Sequence, residues 1–309
     1  MRITTSSLIP RPLGAVLRYF AIGLMRAAAF VLCGYDGVHA HGIAGNRYFV
    51  GTLTFDDPAV NDELSSTFSE LRRAVPGGAA VDRALDLEFS RLLTPRLSFG
   101  AASTWIDRNA PGMTARGFDT TAITLKGLLY RNDPQEILLS AGLAWGLPGV
   151  GSRRLEAHGS VEPGIFFGKG FGDLPDSLSW LRPFGIAGAL SFEHPTGNGA
   201  NSDVLHWGAA LEFSTFYLTD RFTGGPPKEE PLFQWVPLIE FSVDTPRRGK
   251  SSAIASPGIA YAGQNYQIAA EVIVPLNRSA GRNAGVIVKL LLFLDDMVPS
   301  IFGKPLLWE

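Results

Sequence analysis

Asp86, Glu88, Glu156, Glu162, Glu193, Glu212, Glu240, Asp244 and Glu271 share one property. Each sits on the polar side of a stretch whose other side is apolar, and Lys126 and Lys289 sit the same way. Carboxylates along a watery wall attract cations, hydrogen-bond neutral polar solutes and repel anions. Facing hydrocarbon at mid-depth, a lysine would cost about 2–4 kcal/mol and a carboxylate somewhat less. The candidate lumen-lining residues are therefore Asp86, Glu88, Lys126, Glu156, Glu162, Glu212, Glu240, Glu271 and Lys289. A structural use competes with this one. Most arginines fall at strand ends and loops, among them Arg91, Arg96, Arg131, Arg221, Arg247 and Arg278. Paired with the acids, they would hold the wall shut.

Catalytic chemistry has weaker signals. His158 and Ser160 lie beside Glu156 and Glu162 on one strand face. A barrel phospholipase or esterase needs its serine and histidine within hydrogen-bond reach at the lipid-facing surface, and the parity here points inward. A lipid-modifying enzyme is thus the third reading, and no catalytic residue is assigned. Gly168-Lys-Gly170-Phe-Gly172 resembles a phosphate loop, but Asp173 stands where the dinucleotide pattern needs glycine. It reads as a flexible turn. His41 could bind copper at a processed terminus, although a lone histidine makes no site. His194 and His206 stand isolated, and no zinc, calcium or P-loop spacing occurs. The expectation is no cofactor and no metal.

The elements that carry these residues are strands. Asp203–Asp220 alternates Leu205, Trp207, Leu211 and Phe213 with His206, Gly208, Ala210 and Glu212, a period of two. The same alternation recurs at 82–90, 97–105, 120–130, 137–145, 155–167, 178–192, 233–244, 253–261, 266–276 and 286–294. Arg47–Phe55 reads as a first strand. Between it and residue 82, Pro58 could open a helix with Leu64, Phe68 and Leu71 on one face, so 56–75 is an outer loop or a plug. Asp107–Gly117 reads as a polar loop.

The count gives an all-β fold: one antiparallel up-and-down transmembrane β-barrel of about twelve strands, each near the length that crosses a bilayer when tilted. Short and long connections roughly alternate, though the 220–230 link is long for a periplasmic turn. Expected organisation is a signal peptide (1–40), an N-terminal segment (41–80), the barrel (81–296) and a tail (297–309).

The first 40 residues carry the signal features. Arg2, Arg11 and Arg18 precede the apolar stretch Ala21–Cys33, and Val38-His39-Ala40 fits the small-x-small cleavage rule. An anchor helix is the rival reading, but the run is short and Arg26 breaks it. A lipoprotein site at Cys33 has bulky Leu32 before it. Cys33 is the single cysteine, so a processed chain would have no disulfide or thiol chemistry. Net charge is −2, which excludes a nucleic-acid partner on electrostatic grounds. Partners are then the outer-membrane bilayer, a small solute and the barrel-insertion machinery.

Four runs carry a family resemblance: GNRYFVGTLTFDDPAVNDEL, FGKGFGDLPDSLSWLRPF, PLIEFSVDTP and GVIVKLLLFLDDMVP. They resemble proteobacterial outer-membrane proteins that look like the transporter-like barrels of the meta-pathway phenol-degradation family. The resemblance implies a barrel and passage of small organic or aromatic compounds, and supplies no binding residues. One departure stands out. Such barrels end on an aromatic that the insertion machinery reads, whereas here a tail follows the last strand and Glu309 follows Trp308. The expectations are a monomeric or trimeric passive channel, or a non-conducting structural or binding barrel plugged by 56–75.

Overall fold

The computed structural model describes residues 42–75, 78–111, 113–152, 155, 159–196, 202–218 and 231–307. The leader reading, with Cys33, His39 and His41, lies outside the described residues. No described helix is long and apolar enough to cross a membrane.

The strands are β1 (Ile43–Ala44), β2 (Arg47–Tyr48), β3 (Glu63–Val75), β4 (Gly78–Thr94), β5 (Leu97–Ala110), β6 (Met113–Phe118), β7 (Ala122–Asn132) and β8 (Ile137–Gly146). They continue with β9 (Gly159–Gly170), β10 (Phe184–Thr196), β11 (Val204–Phe213), β12 (Gln234–Pro246), β13 (Ser252–Ala262), β14 (Tyr266–Pro275) and β15 (Gly285–Phe293). In the 13-stranded sheet each strand pairs antiparallel with its neighbour, β15 returns to β3, and β4 pairs with β5. β6 pairs only with the last residues of β5, so the closed ring has twelve members. Closure leaves no strand edge in hydrocarbon, where an unpaired backbone group costs several kcal/mol.

β3 begins opposite the end of β15, Glu63 against Phe293. The ring therefore opens and closes at one end of the barrel, here termed the terminal end; the other is the far end. Alternation sorts the two faces. Leu211 is 42% exposed on the outside while its neighbour Glu212 is 0% exposed inside. Tyr130, Trp235 and Tyr266 face outward near the terminal end, and Trp105, Phe118 and Trp145 toward the far end. These are the aromatic girdles of a membrane barrel, flanking an apolar band.

At the far end β4 and β5 run past the band. Charged pairs lie across β3–β6, with one within β3: Arg83 on Glu70 (2.9 Å), Arg108 on Asp82 (3.3 Å) and Arg116 on Asp107 (2.7 Å) across strands, and Arg72 on Glu70 (3.1 Å) along β3. This ladder marks where water begins. It also shows why the expected polar loop at 107–117 is instead the β5–β6 hairpin: its charges pair across strands.

The largest departure concerns the N-terminal segment. Residues 47–55 are not a wall strand, and the stretch expected as outer loop or plug, 56–75, divides: 56–62 is irregular and lies inside the barrel, while 63–75 is strand rather than helix. Only Arg47–Tyr48 is extended, in the small β1–β2 hairpin, while Glu63–Val75 is the first barrel strand. Leu64 and Phe68 stand four apart, a spacing that fits one helix face and one strand face equally. In the barrel both face outward. The closed barrel accordingly spans 63–293 rather than 81–296. A second departure is local: the β7–β8 register shifts between Leu128 and Tyr130, leaving Leu129 in a bulge and turning Tyr130 outward.

Candidate functional site: an acid-lined vestibule above a lumenal segment

Residues 42–62 fold back into the barrel and fill its terminal end. The reason is chemical. Tyr48, Val50 and the partly buried Leu53 pack with wall residues Val236, Leu238, Ala260, Ala269, Leu291 and Phe293 into one apolar cluster. Ala44 and Phe49 pack with Leu138, Ala187 and Ala210 into a second. The wall leaves room for aromatic rings by using glycine. A Cβ on Gly168 would stand 2.8–2.9 Å from the Phe49 ring, and one on Gly208 would collide with that of Phe55. The expected flexible turn at 168–172 holds only from Phe171: Gly168 and Gly170 end strand β9, their missing side chains making space for Phe49 and for Arg47 with Glu136.

Polar groups of the segment are matched one by one. Arg47, 0% exposed, donates to the carbonyls of Pro183 (2.9 Å), Arg182 (2.7 Å) and Phe184 (2.9 Å). Glu136, in the β7–β8 link, lies 3.6 Å from the Arg47 Nε and accepts from the Tyr217 hydroxyl. Burial pushes the Glu136 carboxyl up, opposed by the Arg47 charge. Gln267 bonds both the N–H and the carbonyl of Gly51, at 2.9 Å each, and accepts from the Tyr48 hydroxyl. Glu240 accepts from Leu53 N (2.9 Å), Thr54 N (2.8 Å) and Thr54 Oγ1 (2.6 Å). Lys289 donates to the Thr52 carbonyl (2.9 Å), and Ser140 to that of Pro58 (2.5 Å). Lys126 donates to Asp56 Oδ1 (2.8 Å) and the Asp57 carbonyl (2.5 Å), its ammonium 4.6 Å from the Phe166 ring centroid.

Above this floor a cavity of about 550 Å³ lies toward the far end. Asp86, Glu88, Glu162, Glu193 and Asp244 of the wall and Asp56 of the floor supply its carboxylates, with Lys289 and His206 as counter-charges and Phe55 and Phe166 as aromatic surface. Ser191 donates to Glu162 (2.5 Å), and His206 bridges Asp244 (2.8 Å) and Glu193 (3.4 Å). His206, expected to be isolated, is thus the most connected histidine described. Asp244 stands opposite it on β12, and Glu193 lies diagonally from it on β10, two residues past its register partner Ser191, a proximity that sequence separation hides. A second cavity, about 30 Å³, lies beneath, against Pro58 and Leu138.

The sequence-based lining residues divide into two groups. Asp86, Glu88, Glu162 and Lys289 border the vestibule; Lys126 and Glu240 hold the lumenal segment, and Glu212 and Glu271 are buried without lining the vestibule. Glu156 and His158 lie outside the described residues. Ser160 stands at the far end of β9. The expected pairing of lumen acids with strand-end arginines is corrected: Arg91 pairs with Asp62 (2.8 Å), Arg131 with Asp133 (2.6 Å) and Arg247 with Asp203 (3.4 Å). A strand-end guanidinium lies too far along the barrel axis to reach mid-wall. The amides of 42–62 take that role, and sequence reasoning missed them because an irregular segment has no period to read.

No protein-family model and no curated relative matches the sequence. Among solved structures, an outer membrane channel from Pseudomonas putida F1 is similar, with TM-score 0.50 and 10% identity over 80% of this chain and 99% of that one. KdgM porin aligns with TM-score 0.46 and 8% identity, covering 74% and 98%, and LpxR from Salmonella typhimurium with 0.46 and 8%, covering 75% and 99%. At such identities the likeness concerns the fold, which is that of an outer-membrane β-barrel.

Proposed function

We propose that the protein is an outer-membrane channel that takes small cationic or neutral polar solutes from its far mouth into an acid-lined vestibule, with onward passage set by residues 42–62. One observation carries this reading: the 550 Å³ cavity is lined by six carboxylates, five from the barrel wall and Asp56 from its floor, against one lysine and one histidine. Such a wall concentrates cations and disfavours anions. The mouth is read as facing the cell exterior, because β3 opens and β15 closes the ring at the opposite end, the side of the short periplasmic turns. The far end also carries the strand extensions and charge ladder, as outer loops do. The family resemblance extends the solute class to small organic or aromatic compounds, which Phe55 and Phe166 can stack against.

A second reading, a non-conducting binding barrel, draws on the apolar clusters that fill the terminal end. Planar-bilayer recording separates the two. A cation-selective current from the full chain supports the channel; no current, or an anion-selective one, overturns it.

A further inference from the structure

Past β15 the chain continues through two single-turn helices, α1 (Leu294–Met297) and α2 (Pro299–Phe302), into a stretch described to Leu307. This tail is fastened to the outside of the barrel. Leu85 and Leu87 face outward on β4, so by alternation Phe89 and Arg91 do too. Phe302 meets Phe89 edge-on with centroids 6.3 Å apart, and the Arg91 guanidinium lies 4.8 Å over the Phe302 ring. Arg91 also donates to the carbonyls of Ile301 (2.7 Å), Phe302 (3.3 Å) and Lys304 (2.9 Å). The N–H groups of Leu306 and Leu307 then reach the carbonyls of Leu92 and Leu93, both at 2.9 Å. There β4 has run past the first residue of β3, and the tail takes the edge that β3 leaves open.

Held in this way, the tail presents Ile301, Leu306 and Leu307, which are 63%, 63% and 67% exposed. They are among the most exposed apolar residues described, and they adjoin the outward band through Leu64 and Leu87 at the end that carries Trp235 and Tyr266. An apolar face continuous with a lipid-facing wall, at the depth of an aromatic girdle, belongs in the acyl–headgroup boundary.

We propose that residues 294–307 form an interfacial membrane anchor, lying in the leaflet at the terminal end with Ile301, Leu306 and Leu307 against lipid. The partner is the bilayer rather than a second protein. Arg91 fixes the tail's path, and the open β4 edge fixes its register.

The test uses the full chain carrying Cys33→Ser, with Leu306→Cys labelled by an environment-sensitive fluorophore, in phosphatidylcholine–phosphatidylglycerol vesicles with or without brominated acyl chains. Leu290→Cys reports the lipid band and Lys250→Cys the far-end loop. The Leu306 label is expected to emit to the blue of the Lys250 label and to be quenched by brominated lipid at least half as strongly as the Leu290 label. Water-like emission, or shielding that brominated lipid does not quench and that cross-linking traces to another protein, overturns the proposal. In a second variant Ile301, Leu306 and Leu307 become Glu and the label moves to Met297→Cys. Quenching is expected to fall several-fold while the barrel keeps its heat-modifiable migration; unchanged quenching overturns the proposal.

Discussion

Glu240, on wall strand β12, accepts two hydrogen bonds from Thr54, one from its backbone N–H at 2.8 Å and one from its hydroxyl at 2.6 Å. A wall carboxylate thereby serves as the fixed partner of a segment that has no secondary structure of its own at this point. The Leu53 N–H joins at 2.9 Å. Replacing Glu240 by Ala leaves those donors without their acceptor, at about 1–3 kcal/mol for each that stays buried. The expected result is a lower melting temperature and more frequent open events in single-channel traces. Glu240→Gln, which keeps an acceptor oxygen, should fall between.

Gly168 tests how tightly the segment is packed. A methyl there would press on the buried Phe49 ring at 2.8–2.9 Å. Gly168→Ala should destabilise the barrel by about 1–3 kcal/mol through overpacking. Pairing it with Phe49→Leu should recover part of that loss. Denaturant unfolding in detergent measures both, and an unaffected single variant would show that the ring is not seated as described.

Selectivity should follow the vestibule wall. Neutralising Asp86, Glu162 and Glu193 together (Asp86→Asn, Glu162→Gln, Glu193→Gln) removes three of the six carboxylates that line the vestibule. The cation-to-anion permeability ratio, read from reversal potentials in a salt gradient, should fall several-fold. The difference from the parent should shrink at high ionic strength as the charges are screened.

The tail carries a pH signature. Burial first, and the Asp296 charge second, push the Asp295 carboxyl up to about 6 from an ordinary 3.8. The folded state holds that proton more tightly than the unfolded one. Its contribution to stability is therefore full below about pH 4 and is lost as pH rises through about 6. Partial exposure limits the effect to about 1 kcal/mol. Asp295→Asn should match the parent near pH 4 and exceed it by about that amount at pH 8, by thermal melting.

The wall was legible because its signal repeats. Where residues meet lipid on one side and water on the other, the period of two survives, as in β11, β12 and β14. The lumenal segment obeys no such rule, since it meets the inner wall around it and the vestibule above it but no lipid. Phe49, Leu53 and Phe55 fall at positions that look like strand alternation, which is why Arg47–Phe55 reads as a strand. The acids were placed inside by parity alone. Which of them face solvent and which hold the segment depends on depth along the barrel, a coordinate that residue type does not carry. His206 with Glu193 and Asp244 became a cluster only through register.

The central claim is that residues 42–62 set the passage through an acid-walled barrel. Single-channel recording on the chain as it stands and on one lacking residues 42–61 tests it most directly. The expected result is a small cation-selective conductance in the first and one several-fold larger, still cation-selective, in the second. Equal conductances, or anion preference in both, would contradict the account.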